Sequence, residues 1–326
     1  MPSTPETAPT PGTTNPNTGA ATADPRAPVS LPPALEGERR TLGGKAGPLC
    51  YYHDAPRGKA QSPIPLLLIH SVNAAGSAYE VKPVYDHYTP QRPVYALELP
   101  GFGGSDRSDR DYTPRLMTDA VHAMVEEIHR HHGDGPIDAL ALSLGSEFLA
   151  RAARENPEAF RTLALVSPTG FSGTRRLDGT EESTRGMPWL HALLARGPWN
   201  RALFNALTRR GVIRHFLNKA FGSRSIDLGL LEYSVATTRQ PGAQHAPYHF
   251  LAGNLFSRDI TTVYESLPMP VFMCHGERGD FVDFRGKNAI EGKDNWQVHE
   301  MPTGALPYFE RPEGFMDLYD AFLKQG

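Results

Sequence analysis

Residues Ile137 to Gly145 read Ile-Asp-Ala-Leu-Ala-Leu-Ser-Leu-Gly, an apolar run that stops abruptly at a serine set between small residues. The run is short enough for one buried strand, and the helix-forming stretch Ser146 to Asn156 follows with almost no connecting loop. Ser143 is therefore expected on a sharp strand-to-helix turn that leaves its hydroxyl clear of the backbone. Such a turn folds the helix back close to the strand and needs small neighbours, which Ala141 and Gly145 supply. By itself this five-residue pattern is a weak signal, because similar runs occur at ordinary strand-to-loop joints.

The surrounding chain alternates between the two periodicities. Strands are expected at Ile64 to His70, Pro93 to Leu99, Ile137 to Leu142 and Arg161 to Val166, separated by helices at Ala78 to Tyr88, Pro114 to His131 and Ser146 to Asn156. Consecutive strand–helix units imply an α/β fold, a mostly parallel sheet of about eight strands covered on both faces. After Phe171 roughly a hundred residues pass before the next strand, Val271 to His275, and a compact domain does not carry a structureless loop of that length. An inserted helical element is expected there, with helical spacing over Trp189 to Phe221, many arginines and an apolar face. The pattern then resumes with a strand at Trp296 to Met301 and a helix at Glu313 to Lys324. The expected division is a Pro/Thr-rich disordered tail over 1–33, a core over 34–171 and 260–326, and a helical cap over 172–259.

Composition removes several function classes. A net charge of -3 over 326 residues gives no electrostatic footprint for nucleic acid, so partners are expected to be small molecules or proteins. Cys50 and Cys274, the only two cysteines, lie far apart beside apolar residues and read as buried free thiols rather than a disulfide or metal site. No metal and no cofactor is called for. The first residues lack a basic and apolar leader pattern and no run is long enough to span a membrane, so a cytoplasmic protein without a transmembrane segment is expected.

Five segments in one order resemble the α/β-hydrolase fold family, in the branch of capped esterases, epoxide hydrolases, dehalogenases and C–C bond hydrolases. They are Leu67-Leu-Ile-His70, Leu99-Pro-Gly-Phe-Gly-Gly-Ser105, Ala141-Leu-Ser-Leu-Gly145, Val271-Phe-Met-Cys-His-Gly276 and Gly304-Ala-Leu-Pro-Tyr-Phe-Glu-Arg-Pro312. The resemblance implies that Ser143 is the nucleophile on its elbow, with an oxyanion hole made by the backbone N–H groups of Leu144 and Val72. It places the acid after the Val271 to His275 strand, at Asp280, with Asp283 as runner-up, and gives His70 a bracing role in its loop. The glycines at 101, 103 and 104 read as a tight turn and not as a phosphate cradle, because no lysine follows in P-loop spacing.

The family's third member is missing. Its histidine usually stands directly after a glycine, and here that position is Ala305, with Pro307, Glu310 and Pro312 all in place around it. A serine hydroxyl needs a base to remove its proton. Three explanations stay open: a base from His245 or His249, where the cap returns to the sheet; Tyr308, whose pKa would have to fall far below 10; or loss of hydrolysis with the pocket kept for binding. Two functions follow. One is a serine-hydrolase-like enzyme acting on a small ester or related acyl substrate, apolar or anionic, with a non-standard or missing base. The other is a non-catalytic protein that binds a small molecule or a protein partner.

Overall fold

The computed structural model describes residues 31–325. One sheet holds eight strands: β1 (Glu38–Leu42), β2 (Leu49–Asp54), β3 (Leu66–Ile69), β4 (Val94–Leu97), β5 (Ile137–Leu142), β6 (Phe160–Val166), β7 (Val271–Gly276) and β8 (Trp296–Met301), in the order β1-β2-β4-β3-β5-β6-β7-β8. The β1–β2 and β2–β4 pairs are antiparallel and every later pairing is parallel. Residue burial follows position in the sheet. Every residue of β3, β4, β5 and β7 is buried, as continuous apolar runs covered on both faces require, whereas the edge strands β1 and β8 keep exposed positions.

The helices are α1 (Lys82–Tyr88), α2 (Pro114–His132), α3 (Gly145–Glu155), α4 (Pro188–Ala195), α5 (Asn200–Leu207), α6 (Arg210–Phe221), α7 (Leu228–Thr238), α8 (His245–Leu251), α9 (Ile260–Glu265), α10 (Pro307–Glu310) and α11 (Pro312–Leu323). α2 shows why these segments form where they do. Thr113 caps it by accepting the Leu116 N–H at 3.1 Å, Pro114 opens its first turn, and Met117, Val121, Met124 and Ile128 form the buried stripe. α2 and α3 cover one face of the sheet, and α1, α10 and α11 cover the other, each over its own apolar cluster.

Between β6 and β7 the chain makes α4 to α8, and α9 then packs beside α3. The helical spacing over Trp189 to Phe221 resolves into three helices, broken at Gly197–Pro198 and at Thr208–Arg209, because glycine and proline interrupt the first join. Two buried contacts pin the return of this insertion to the core. Arg151 donates both terminal nitrogens to Asp259 at 3.0 and 2.6 Å, and Glu147 accepts from Thr169 at 2.6 Å and from the Ser257 N–H at 2.9 Å.

Of the stretch expected to be disordered, residues 1–30 lie outside the described residues. Leu31, by contrast, is buried, and the Tyr233 hydroxyl donates to the Pro32 carbonyl at 3.0 Å, so residues 31–33 are packed against the fold. Cys50 and Cys274 are both free and buried. Among the described residues no helix is long and apolar enough to cross a membrane, and no group of three or more His, Cys, Asp or Glu is placed to hold a metal ion.

Candidate functional site

Ser143 sits between β5 and α3 with φ of 52°, in the left-handed region that a serine enters only at a cost of about 1–3 kcal/mol. The turn is held by its own backbone: the Ser143 N–H donates to the Val166 carbonyl at 2.8 Å, and the Ser146 N–H donates to the Ser143 carbonyl at 3.0 Å. A Cβ at Gly145 would lie 2.5 Å from the His70 carbonyl, which is why only glycine fits where α3 folds back onto the loop after β3. The Ser143 hydroxyl is half-buried and makes no hydrogen bond among the described residues.

Two backbone donors face no protein acceptor. Val72 and Leu144 are buried, yet neither N–H is bonded to another group among the described residues. A buried, unpaired N–H is costly and rare, and here both occur at the positions expected to hold an oxyanion. The loop carrying Val72 is built on a buried carboxylate. Glu80 accepts from the Ser71 N–H at 2.8 Å and from the Asn73 side-chain amide at 2.7 Å, and that amide also donates to the Ser71 hydroxyl at 2.8 Å. Burial pushes the Glu80 carboxyl up to about 7, its hydrogen bonds to Ser71 and Asn73 opposing the shift. Ser71 keeps a negative φ and spends its N–H on Glu80.

His70 braces the same loop. Its Nε2 accepts from the Leu99 N–H at 3.0 Å, which leaves the proton on Nδ1 to donate to the Ser71 carbonyl at 2.5 Å. Complete burial lowers its pKa to about 4. His275 is similarly occupied, with Nδ1 against the Gly276 carbonyl at 3.1 Å and its ring stacked on Phe284 at 4.1 Å.

The residues expected to supply the acid and the base are not bonded into a triad among the described residues. Asp280 is exposed and pairs with Lys219 of α6 at 2.7 Å, and its N–H donates to the Lys219 carbonyl at 3.1 Å. Asp283 accepts from Arg285 at 2.8 Å and from the Gly173 N–H at 2.9 Å, and those bonds hold its carboxyl well below the usual carboxylate range. Neither carboxylate is bonded to a histidine. The Ala305 N–H donates to the Ala220 carbonyl at the end of α6 at 2.8 Å, and the Ala305 carbonyl accepts from the Ser167 hydroxyl at 2.8 Å. A Cβ at Gly304 would lie 2.5 Å from Cα of Phe221, so α6 lies directly on this loop. Phe221 is 2% exposed and packs edge-on against Phe309.

No expected substitute base is bonded to Ser143. His245 Nδ1 lies 3.3 Å from the exposed Asp109 carboxylate, and its Nε2 contacts Gln244. His249 is buried against His191, with ring centroids 3.9 Å apart, and its Nδ1 meets Asn254 at 3.1 Å. Burial, reinforced by the neighbouring His191, lowers the His249 pKa to about 4. Tyr308 is fully buried with its hydroxyl unpartnered among the described residues, and burial raises its pKa well above 10, opposite to what a base requires.

Sequence reasoning missed Glu80, Asn73 and the end of α6. Glu80 carried a readable signal, a carboxylate inside an otherwise apolar segment. The Ala220 and Phe221 contacts carried none, because they depend on how an insertion folds over the core.

The known proteins agree with this architecture. A family model described as the alpha/beta hydrolase fold matches residues 64–209. A probable 1-acylglycerol-3-phosphate O-acyltransferase from Oryza sativa subsp. japonica is 22% identical over 280 residues, covering 77% of this chain, which spans 64% of that protein's length. Among solved structures, a serine hydrolase involved in carbazole degradation superposes with a TM-score of 0.66 at 15% identity, covering 89% of this chain and 99% of that one. A carboxylesterase from Bacillus subtilis gives 0.65 at 16%, covering 89% and 93%. With its eight-stranded sheet and the Ser143 turn between β5 and α3, this chain has the α/β-hydrolase fold.

Proposed function

We propose that the chain is a serine-hydrolase-like protein that holds a small ester, acyl or carboxylate molecule at Ser143, beneath a cap formed by α4 to α8, and that its work is binding more than rapid turnover. The carbonyl or carboxylate oxygen would accept from the Val72 and Leu144 N–H groups, which places the carbonyl carbon at the Ser143 hydroxyl. Those two unpaired amides are the observation that carries the reading. In a full triad the next event is removal of the serine proton. Here the position for that base is an alanine bonded into α6, and Asp280 is engaged by Lys219. Without a base, oxyanion donors and binding still leave about 10³ to 10⁴ over the water reaction, so weak esterase activity fits this reading too.

A second reading, a serine hydrolase with a displaced base, is favoured by the strained φ at Ser143, a cost more readily kept where chemistry uses it. It needs His245 or His249 to move within reach of Ser143. Fluorophosphonate labelling of the wild type, Ser143→Ala, His245→Ala, His249→Ala and Ala305→His separates the two, with octanoate titration calorimetry on the wild type and Ser143→Phe. The binding reading expects negligible wild-type labelling and octanoate binding abolished by Ser143→Phe. Rapid labelling that depends on Ser143 and on one of the two histidines would replace it with the enzyme reading.

A further inference from the structure

The inserted helices carry a surface that the site does not use. α4 contains no buried residue, and Trp189 and Leu193, one turn apart on it, are 66% and 52% exposed. Trp199, at the start of α5, is 50% exposed and donates its indole N–H to the Leu193 carbonyl at 3.3 Å, so the three side chains share one corner of the fold. Exposing two of the chain's three tryptophans costs burial that a soluble surface normally takes.

Charge indicates what covers this corner. Residues 187–226 hold seven lysines and arginines and no aspartate or glutamate, inside a chain whose net charge is -3. Three of the seven are engaged within the protein: Arg210 with Glu232, Lys219 with Asp280, and Arg201 with Gln244. Arg196, Arg209 and Arg214 are exposed and form no ion pair among the described residues. Arg196 lies between Leu193 and Trp199 in sequence. A second copy of the chain docked on this corner through a two-fold axis would set Arg196 against Arg196, and like charges repel. An anionic bilayer meets both properties: indole rings and leucine enter the boundary between headgroups and acyl chains, and guanidinium groups pair with the phosphates above.

We propose that the α4–α5 corner docks on the surface of an anionic phospholipid membrane, with Trp189, Leu193 and Trp199 inserted and Arg196, Arg209 and Arg214 at headgroup level. The proposal is independent of whether Ser143 turns over a substrate.

The test is flotation of the full chain with phosphatidylcholine vesicles, with and without phosphatidylserine, followed by tryptophan fluorescence. Trp296 is buried, so a blue shift on adding vesicles reports Trp189 and Trp199. Binding is expected only with phosphatidylserine and is expected to fall steeply with salt. Replacing Arg196, Arg209 and Arg214 by serine should weaken it about 100-fold, at about fivefold per arginine. Trp189→Ser with Leu193→Ser and Trp199→Ser should abolish flotation with phosphatidylserine vesicles while leaving the thermal midpoint unchanged, because these side chains are exposed in the free protein. No binding to phosphatidylserine vesicles at low salt, or binding indifferent to both sets of substitutions, overturns the proposal. So does a concentration-dependent dimer in light scattering that the tryptophan–leucine variant abolishes, which would make the corner a protein interface.

Discussion

The N–H of Ala305 donates to the carbonyl of Ala220 at 2.8 Å, so the residue expected at the base position is bonded into the end of α6. The end of α6 is therefore seated directly on the loop that carries Ala305. Phe221, nearly fully buried, sets its backbone against Gly304 and its ring against Phe309. Phe221→Ala is expected to destabilise the fold by about 3–5 kcal/mol through lost burial and a residual cavity. Urea unfolding measures it, and a loss below about 1 kcal/mol would mean that α6 is not packed here.

Asp280 distinguishes a surface ion pair from a catalytic acid. Its partner Lys219 and its own side chain are both about half exposed, so Asp280→Asn should cost less than about 1 kcal/mol, with the difference shrinking in salt. Any residual ester hydrolysis should stay the same. A fall of about 10⁴ in that activity would instead assign Asp280 to a working triad.

Glu80 links pH to the loop that carries Val72. Its pKa in the folded chain, about 7, lies above its ordinary 4.5, so the folded state keeps this proton after the unfolded state has lost it. Its contribution is full below pH 4.5 and is lost as pH rises through 7. His70 and His249 act in the opposite sense. Burial lowers both to about 4, so their contribution is present above pH 6.5 and is lost as pH falls through 4. Denaturation of the wild type and Glu80→Gln across this range isolates the first effect: the variant should gain relative to the wild type between pH 4.5 and 7 and run parallel to it above. A constant difference across the window would remove Glu80 from the account.

Arg151 and Asp259 form a bidentate pair with side chains only 3% and 4% exposed. Asp259→Ala leaves a buried guanidinium without its anion and should cost about 3–5 kcal/mol. Leu at both positions 151 and 259 should recover much of that loss. If the single substitution is nearly neutral in chemical denaturation, the joint between the insertion and α3 is not held by this pair.

The parallel sheet was legible in the sequence because buried parallel strands write themselves as continuous apolar runs, and β5 was read to the residue. The turn at Ser143 was legible for a related reason: close packing of α3 on β5 leaves room only for small neighbours. Residues whose role depends on long-range closure were not legible. Glu147 looks like any helical glutamate, and only the folded chain shows it holding Thr169 and Ser257. The helical spacing over Trp189 to Phe221 announced helices but not their breaks or their seat. The Ala220 carbonyl that meets Ala305 is a backbone group, on which sequence leaves no mark.

The insertion is fastened unevenly. One end of α6 is stitched to the loops carrying Asp280 and Ala305, and the returning chain is tied to α3 through Ser257 and Asp259, while α4 has no buried residue to anchor it. Local opening follows the weakest packing. Opening of the insertion is thus expected to begin at α4, with the stitched flank as its fixed jamb.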